Sequence, residues 1–219
     1  MSNLEISVNE VKEKLNNIGN GLILANELLL EGLKECDKEK FESAKSHIKN
    51  IANKTDEIDN DIVKILALYS PEARDLRQVV SFFKITNELS RSCSNTRNFL
   101  RGLIDFCSDL EMKSIQEYAI PMQTSTLKAV KCAINMLNMN DIDEIQDTYN
   151  EVLIEQNKTD DLYEMFEKSI HSQVEMIQDF ERYHTMLRSL RKSSKIADRA
   201  ISIANLLMYV KMGGTLQNQ

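Results

Sequence analysis

The stretch Ser70-Pro71-Glu72-Ala73-Arg74-Asp75-Leu76-Arg77, preceded by Ile65-Leu66-Ala67-Leu68, decides how the chain is divided. It reads as a helix end, a tight break and a new helix start. Ser70 is the expected N-cap, with Pro71 at the first helical position, where a missing N–H costs nothing. Asp75 then falls in the first turn, where a carboxylate complements the helix dipole. After the break comes the apolar series Leu76, Val79, Phe83, Ile85 and Leu89.

Working outward, the segments before this break are strongly periodic. Val8, Val11, Leu15, Ile18, Leu22, Ala25 and Leu29 step by three and four residues, as do Phe41, Ala44, Ile48, Ile51, Thr55, Ile58, Ile62 and Ile65. Such spacing keeps one apolar stripe on one face of a helix. A near-heptad period also implies helices that supercoil gently around their neighbours.

Composition agrees with long helices. The 219 residues include six glycines, two prolines and no tryptophan, too few breakers for a sheet protein with many turns. A hydrophobic share of 42% is enough for a substantial core. The net charge of −7 argues against a broad nucleic-acid face, which needs clustered lysine and arginine. No apolar run approaches the roughly 20 residues of a membrane span, and the N-terminus Met1-Ser2-Asn3-Leu4-Glu5 lacks the basic-then-apolar order of a secretion signal. A cytoplasmic protein is expected, with at most peripheral membrane association. Cys36, Cys93, Cys107 and Cys132 are widely spaced and form no CxxC pair, so reduced thiols packed as small hydrophobes are expected.

The pattern recurs at an offset of 104 residues. Asp37 matches Asp141, Ile48 and Ile51 fall on Val152 and Glu155, and Thr55-Asp56-Glu57-Ile58 falls on Thr159-Asp160-Asp161-Leu162. Further along, Ile62 matches Phe166, Asp75-Leu76 matches Asp179-Phe180, and Phe99 matches Ile203. The chain therefore reads as all-α, a doubled three-helix bundle with six long helices near 4–34, 38–69, 71–107, 111–139, 141–172 and 176–211. Residues 1–108 form the first bundle and 109–219 the second, packed as one continuous helical unit. Asn138-Met139-Asn140-Asp141 is a turn and cap, Gly213-Gly214 ends the last helix, and Pro121 should start or kink the fourth.

The segment Leu66-Ala67…Pro71-x-Ala73-x-Asp75-Leu76-Arg77, continuing into Lys84-Ile85-Thr86-Asn87-Glu88-Leu89, resembles the central signature of the PhoU family of phosphate-signalling regulators. The tail Ile196-Ala197-Asp198-Arg199-Ala200-Ile201-Ser202-Ile203-Ala204 and Tyr209-Val210-Lys211-Met212-Gly213 resemble its closing helix. The resemblance covers nearly the whole chain. It implies two repeated three-helix bundles and no catalysis. It also implies a regulator, expected as a homodimer, that couples the phosphate ABC transporter, through its ATPase subunit, to a sensor histidine kinase and represses the starvation response.

The family's third and sixth helices carry Glu-x-x-x-Asp motifs, whose carboxylates share one helix face and can bind a cation together. Here the first motif aligns as Leu89-Ser90-Arg91-Ser92-Cys93-Ser94 and the second as Ser193-Ser194-Lys195-Ile196-Ala197-Asp198, so Asp198 alone retains an acid. Glu88 lies about 200° around the helix from Ser90 at 100° per residue. No metal or other cofactor is expected.

Other chemistry is absent from the pattern. Glu181-x-x-His184 has a metal-enzyme spacing, but a di-iron bundle needs a second copy, and the equivalent of His184 is Val80. No Gly-rich phosphate loop or nucleophile–base arrangement occurs. Arg188, Arg191, Lys192, Lys195 and Arg199 share one face of the last helix, a candidate docking stripe on an acidic protein. Asp75, Arg77, Arg188, Arg191, Lys195 and Arg199 are thus the partner-binding candidates. The leading expectation is a non-enzymatic phosphate-signalling adaptor. The alternatives are a metal-binding helical protein of di-iron or storage type and an accessory protein of a low-affinity phosphate transporter.

Overall fold

The computed structural model describes residues 2–106, 112–173 and 177–213. Among these, every regular element is a helix: α1 (Asn3–Glu35), α2 (Lys38–His47), α3 (Ile51–Tyr69), α4 (Ala73–Phe106), α5 (Met112–Asn135), a 3₁₀ turn (Met136–Asn138), α6 (Ile142–Gln173) and α7 (Ile177–Met212). Counting α2 and α3 as one broken helix leaves the six long helices that periodicity predicts. The bundle boundary expected at 108/109 lies outside the described residues, as does the link between α6 and α7.

The 104-residue offset reappears in the element boundaries. Lys38 and Ile142 start equivalent helices, Tyr69 and Gln173 end them, and Ala73 and Ile177 start the next pair. Local chemistry repeats as well. Asp37 accepts from the backbone N–H of Glu39 and Lys40 at 2.9 and 3.3 Å. Its equivalent Asp141 accepts from the N–H of Glu144 at 2.9 Å. Thr55 and Thr159 both donate back to the carbonyl four residues earlier. One pair departs from the pattern: Ile51 is apolar core, whereas Glu155 is a buried carboxylate bonded by Lys128 at 3.1 Å and Lys158 at 2.9 Å.

The repeats differ where the second helix of the first bundle breaks at residues 48–50. Asn50 turns left-handed at φ 56°, a conformation asparagine tolerates. The break is accommodated by its neighbours. A Cβ at Gly21 of α1 would lie 2.6 Å from the His47 carbonyl oxygen, so glycine permits that close approach. Arg97 of α4 donates to the Ile48 carbonyl at 2.7 Å. In the second bundle α6 runs unbroken.

Every member of the two apolar stripes upstream of the break is buried, and one core runs through both halves of the chain. The break itself differs from expectation. Ser70 does not cap the new helix; it ends α3 with left-handed φ 43°. The new helix opens two residues later than Pro71 predicts, with the Asp75 N–H bonding the Glu72 carbonyl at 3.1 Å. Leu76 and Phe83 are not core residues. The buried face of α4 centres on Phe82, Ile85, Leu89 and Cys93, and Leu76, Val80 and Phe83 lie to one side of it in solvent. Pro121 lies inside α5 and does not start it. Gly213 ends α7 in the left-handed region, as expected. Among the cysteines, Cys36 is disulfide-bonded, which corrects the expectation of four reduced thiols. Cys93 is a free thiol pushed up to about 12 by burial.

Ile62, 2% exposed and in the middle of the α3 stripe, tests this packing. Ile62→Asp places an unpaired charge in the core and is expected to cost about 3 kcal/mol or more. Chemical denaturation monitored by circular dichroism measures it; a loss below about 0.5 kcal/mol would place the stripe on a surface.

Candidate functional site

α7 is flanked by α4 on one side and α6 on the other, and each flank carries part of the site. On the α4 side the helices run antiparallel. Glu88 meets Arg199, and a Cβ at Gly102 would collide with Ser189. Arg77 of α4 lies against Gly213 at the far end.

On the α6 side, four polar side chains meet. Ser194 Oγ donates to Asp160 Oδ1 at 2.7 Å. Gln156 Nε2 donates to Asp160 Oδ2 at 2.7 Å and to Asp198 Oδ1 at 3.1 Å. The arrangement follows from helix periodicity: Gln156 and Asp160 are one turn apart on α6, and Ser194 and Asp198 are one turn apart on α7. Asp198, singled out by its motif, therefore sits beside a second acid that the motif alone did not reveal. The signal was present in the repeated Thr-Asp of Thr55-Asp56 and Thr159-Asp160, where the aspartate was read as a repeat marker and not as a site residue.

This donor set does not fit the multinuclear metal centre that the family motif implies. It supplies two carboxylates, one from each helix, and the Gln156 amide points its N–H groups at both. No group of three or more His, Cys, Asp or Glu side chains suited to a metal occurs among the described residues. In the first bundle the equivalent positions are Ala52, Asp56, Ser90 and Ser94, with a single acid. Glu88 is engaged by Arg199 at 3.0 Å.

The basic stripe on α7 divides in two. Arg188 and Lys195 are exposed and Lys192 is half-buried, and these three form no ion pair among the described residues. Arg191 instead lies over the Tyr163 ring, 4.8 Å from its centroid, and Arg199 is tied to Glu88. Arg91, exposed one turn beyond Glu88 on α4, likewise forms no ion pair among the described residues. Asp75 is exposed in the first turn of α4, and Arg77 is half-buried with its Nε unbonded. The structure thus does not bring Asp75 and Arg77 together with the basic stripe: the first pair marks the α3–α4 tip, the second the middle of α7.

That tip carries an exposed apolar cluster, of which the sequence periodicity placed only Leu76 and Phe83 in its apolar series. Val63, Leu66, Leu68, Tyr69, Leu76, Val80 and Phe83 are exposed within about three turns of the same hairpin end, Leu68 by 73% and Phe83 by 48%. At the 104-residue offset, Leu66 and Phe83 correspond to Ile170 and Leu187, both buried. A cluster of this kind marks an interaction surface. Ser70 and Ala73, both at positive φ, bracket the buried Pro71 beside it. Left-handed backbone costs a residue with a Cβ about 1 kcal/mol, so the signature segment is held under strain.

Residues 15–101 match the PhoU domain. PhoU from Pseudomonas aeruginosa superposes with a TM-score of 0.82 at 20% identity, covering 96% of this chain and 99% of that one. The phosphate transport system regulatory protein PhoU from Streptococcus pneumoniae gives 0.79 at 18% identity, covering 99% and 100%. A PhoU-like protein from Shewanella oneidensis MR-1 gives 0.65 at 14% identity, covering 92% and 96%. No curated protein sequence matches the chain.

Asp198 gives the site a pH signature. Burial pushes its pKa above the ordinary aspartate value; the Gln156 N–H pulls it back, Asp160 pushes it up, and Arg191 and Arg199 pull it down. A carboxyl raised in the folded state stabilises the fold most when protonated, and that contribution is lost as pH rises from the ordinary value of about 4 through the raised one. Asp198→Asn is therefore expected to raise the melting temperature at pH 7, with the gain shrinking as pH falls toward 4; a variant that melts lower at pH 7 would contradict it. The chain thus carries a match to the PhoU domain over residues 15–101 and has the fold of the PhoU structures along nearly its whole length.

Proposed function

We propose that this protein is a regulator of phosphate transport that acts by docking other proteins and has no catalysis of its own. The match of residues 15–101 to the PhoU domain carries this reading, because it contains the Pro71–Arg77 signature and the strained hairpin tip. The fold of the two PhoU structures supports it over nearly the full chain. The resemblance names two partners, the ATPase subunit of a phosphate ABC transporter and a sensor histidine kinase. Within the described residues no helix is long and apolar enough to cross a membrane, so contact with a transporter would be made through a subunit facing the same aqueous phase.

The surface offers two patches of different chemistry for such docking. The exposed apolar tip supplies burial. The exposed cations Arg188, Lys195 and Arg91 supply attraction for an acidic surface, on a chain whose net charge is −7. Local basic charge of this kind speeds encounter more than it deepens affinity, and it is screened within about 10 Å at 0.1 M salt.

Arg188→Glu with Lys195→Glu removes the attraction while leaving Arg191 on Tyr163 and Arg199 on Glu88. The fold is expected to be retained, since exposed changes usually cost within about 0.5 kcal/mol. Association with the purified ATPase subunit or kinase, followed by surface plasmon resonance at two salt concentrations, should slow about tenfold or more at low salt and converge with the parent at high salt. Unchanged association at both would return the stripe to a solvated helix face. A parent chain that binds neither partner would remove the regulatory reading itself.

A further inference from the structure

We infer that a side-chain amide has taken the place of a metal ion in joining α6 to α7, so that this chain, unlike the pattern its family motifs imply, holds its second bundle together without a cation. Four observations carry this. Two polar pairs, each one helix turn apart, face one another: Gln156 and Asp160 on α6, and Ser194 and Asp198, the aligned motif, on α7. Their side chains converge across the helix interface, with Gln156 Nε2 bonded to one carboxylate from each helix at 2.7 and 3.1 Å. The Ser194 hydroxyl, fully buried, closes the fourth corner on Asp160 at 2.7 Å. Arg191 and Arg199 add positive charge on the α7 side.

The chemistry is a substitution of one electrophile for another. A bridging cation neutralises facing carboxylates by coordination. Here the Gln156 amide offers its two N–H donors to two acceptors from different helices, and it does so without bringing a carboxylate of its own. Two acids held this way need less counter-charge than four, and the nearby guanidinium groups supply part of it. The amide is therefore a fixed, covalently attached stand-in for the ion. Its position also explains why Ser194 is tolerated: a hydroxyl can donate to Asp160, whereas a carboxylate there would face two others.

The inference makes Gln156 a reversible switch for metal dependence. Gln156→Glu changes one –NH₂ to –O with no change in volume, but it converts two donated bonds into repulsion among three carboxylates. The test measures melting temperature for the parent, Gln156→Glu and Gln156→Ala, each with 1 mM EDTA or 1 mM Mn²⁺, at pH 7.5. The parent should melt within 1 °C in both conditions. Gln156→Glu should melt well below the parent in EDTA, recover by 5 °C or more with Mn²⁺, and also recover toward pH 5 without metal as a carboxylate protonates. Gln156→Ala should melt low and stay low, because it loses the bonds without gaining a ligand. A parent stabilised by Mn²⁺, or one that retains stoichiometric metal on elemental analysis, would overturn the proposal. So would a Gln156→Glu chain that melts like the parent in EDTA, or one that Mn²⁺ fails to rescue. If Gln156→Glu does not fold in EDTA, folding on addition of Mn²⁺ followed by circular dichroism decides in the same sense.

Discussion

A buried chain of hydrogen bonds runs between the two repeats, and the placement of the rest of the molecule depends on it. Asn26 of α1 donates to its own Leu22 carbonyl at 2.8 Å and to Thr96 of α4 at 3.3 Å. Gln123 of α5 donates to the Asn26 oxygen at 2.9 Å, and Ser193 of α7 donates to the Gln123 oxygen at 2.8 Å. Thr126 completes the chain against Ser193 at 2.9 Å. All five side chains are essentially inaccessible to solvent. A polar group in such a place costs several kcal/mol unless bonded. Sliding one helix by a turn would leave these groups unpaired, so the seam fixes register where apolar stripes alone would tolerate slippage.

Register is what the candidate surfaces need. α7 contributes Ser193 to the seam, and the next residue, Ser194, to the α6 contact. On its exposed face lie Arg188 and Lys195. One helix thus serves the seam, the amide-bridged acid pair and the basic ridge, and its angular setting distributes these roles. On the opposite side, Arg199 and Glu88 clamp α4 to α7. The α3–α4 tip is set apart from this machinery. The break at residues 48–50 interrupts in the first repeat the helix that runs unbroken as α6 in the second, and it goes with a hairpin end whose Leu66 and Phe83 are exposed where Ile170 and Leu187 are covered.

The helices, their order and the doubling were legible because each rests on a local signal. Stripes of Val8 to Leu29 and Phe41 to Ile65 specify faces, and Asp37 and Asp141 specify starts. The break at Asn50 was not legible, since the Gly21 approach and the Arg97 bond that accommodate it come from other helices. Ser70 and Pro71 carried the right signal for a boundary but the wrong assignment of residues, because Ser70 serves the helix behind it. Leu76 and Phe83 fit the apolar period yet lie at the edge of the buried arc, a distinction of some tens of degrees that spacing does not resolve. At the site, Asp198 was legible from its motif and Asp160 only as part of the repeated Thr-Asp, whereas Gln156 was not: an amide on an exposed-looking helix face carries no signal until the facing helix is in place. Arg191 and Arg199 read as free cations and turned out to be engaged by Tyr163 and Glu88.

The central claim, that a buried polar seam locks both repeats into one cooperative unit, is tested most directly by differential scanning calorimetry of the full chain. The account predicts a single unfolding transition whose calorimetric enthalpy equals the van't Hoff enthalpy. Two resolved transitions, one for each repeat, would contradict it.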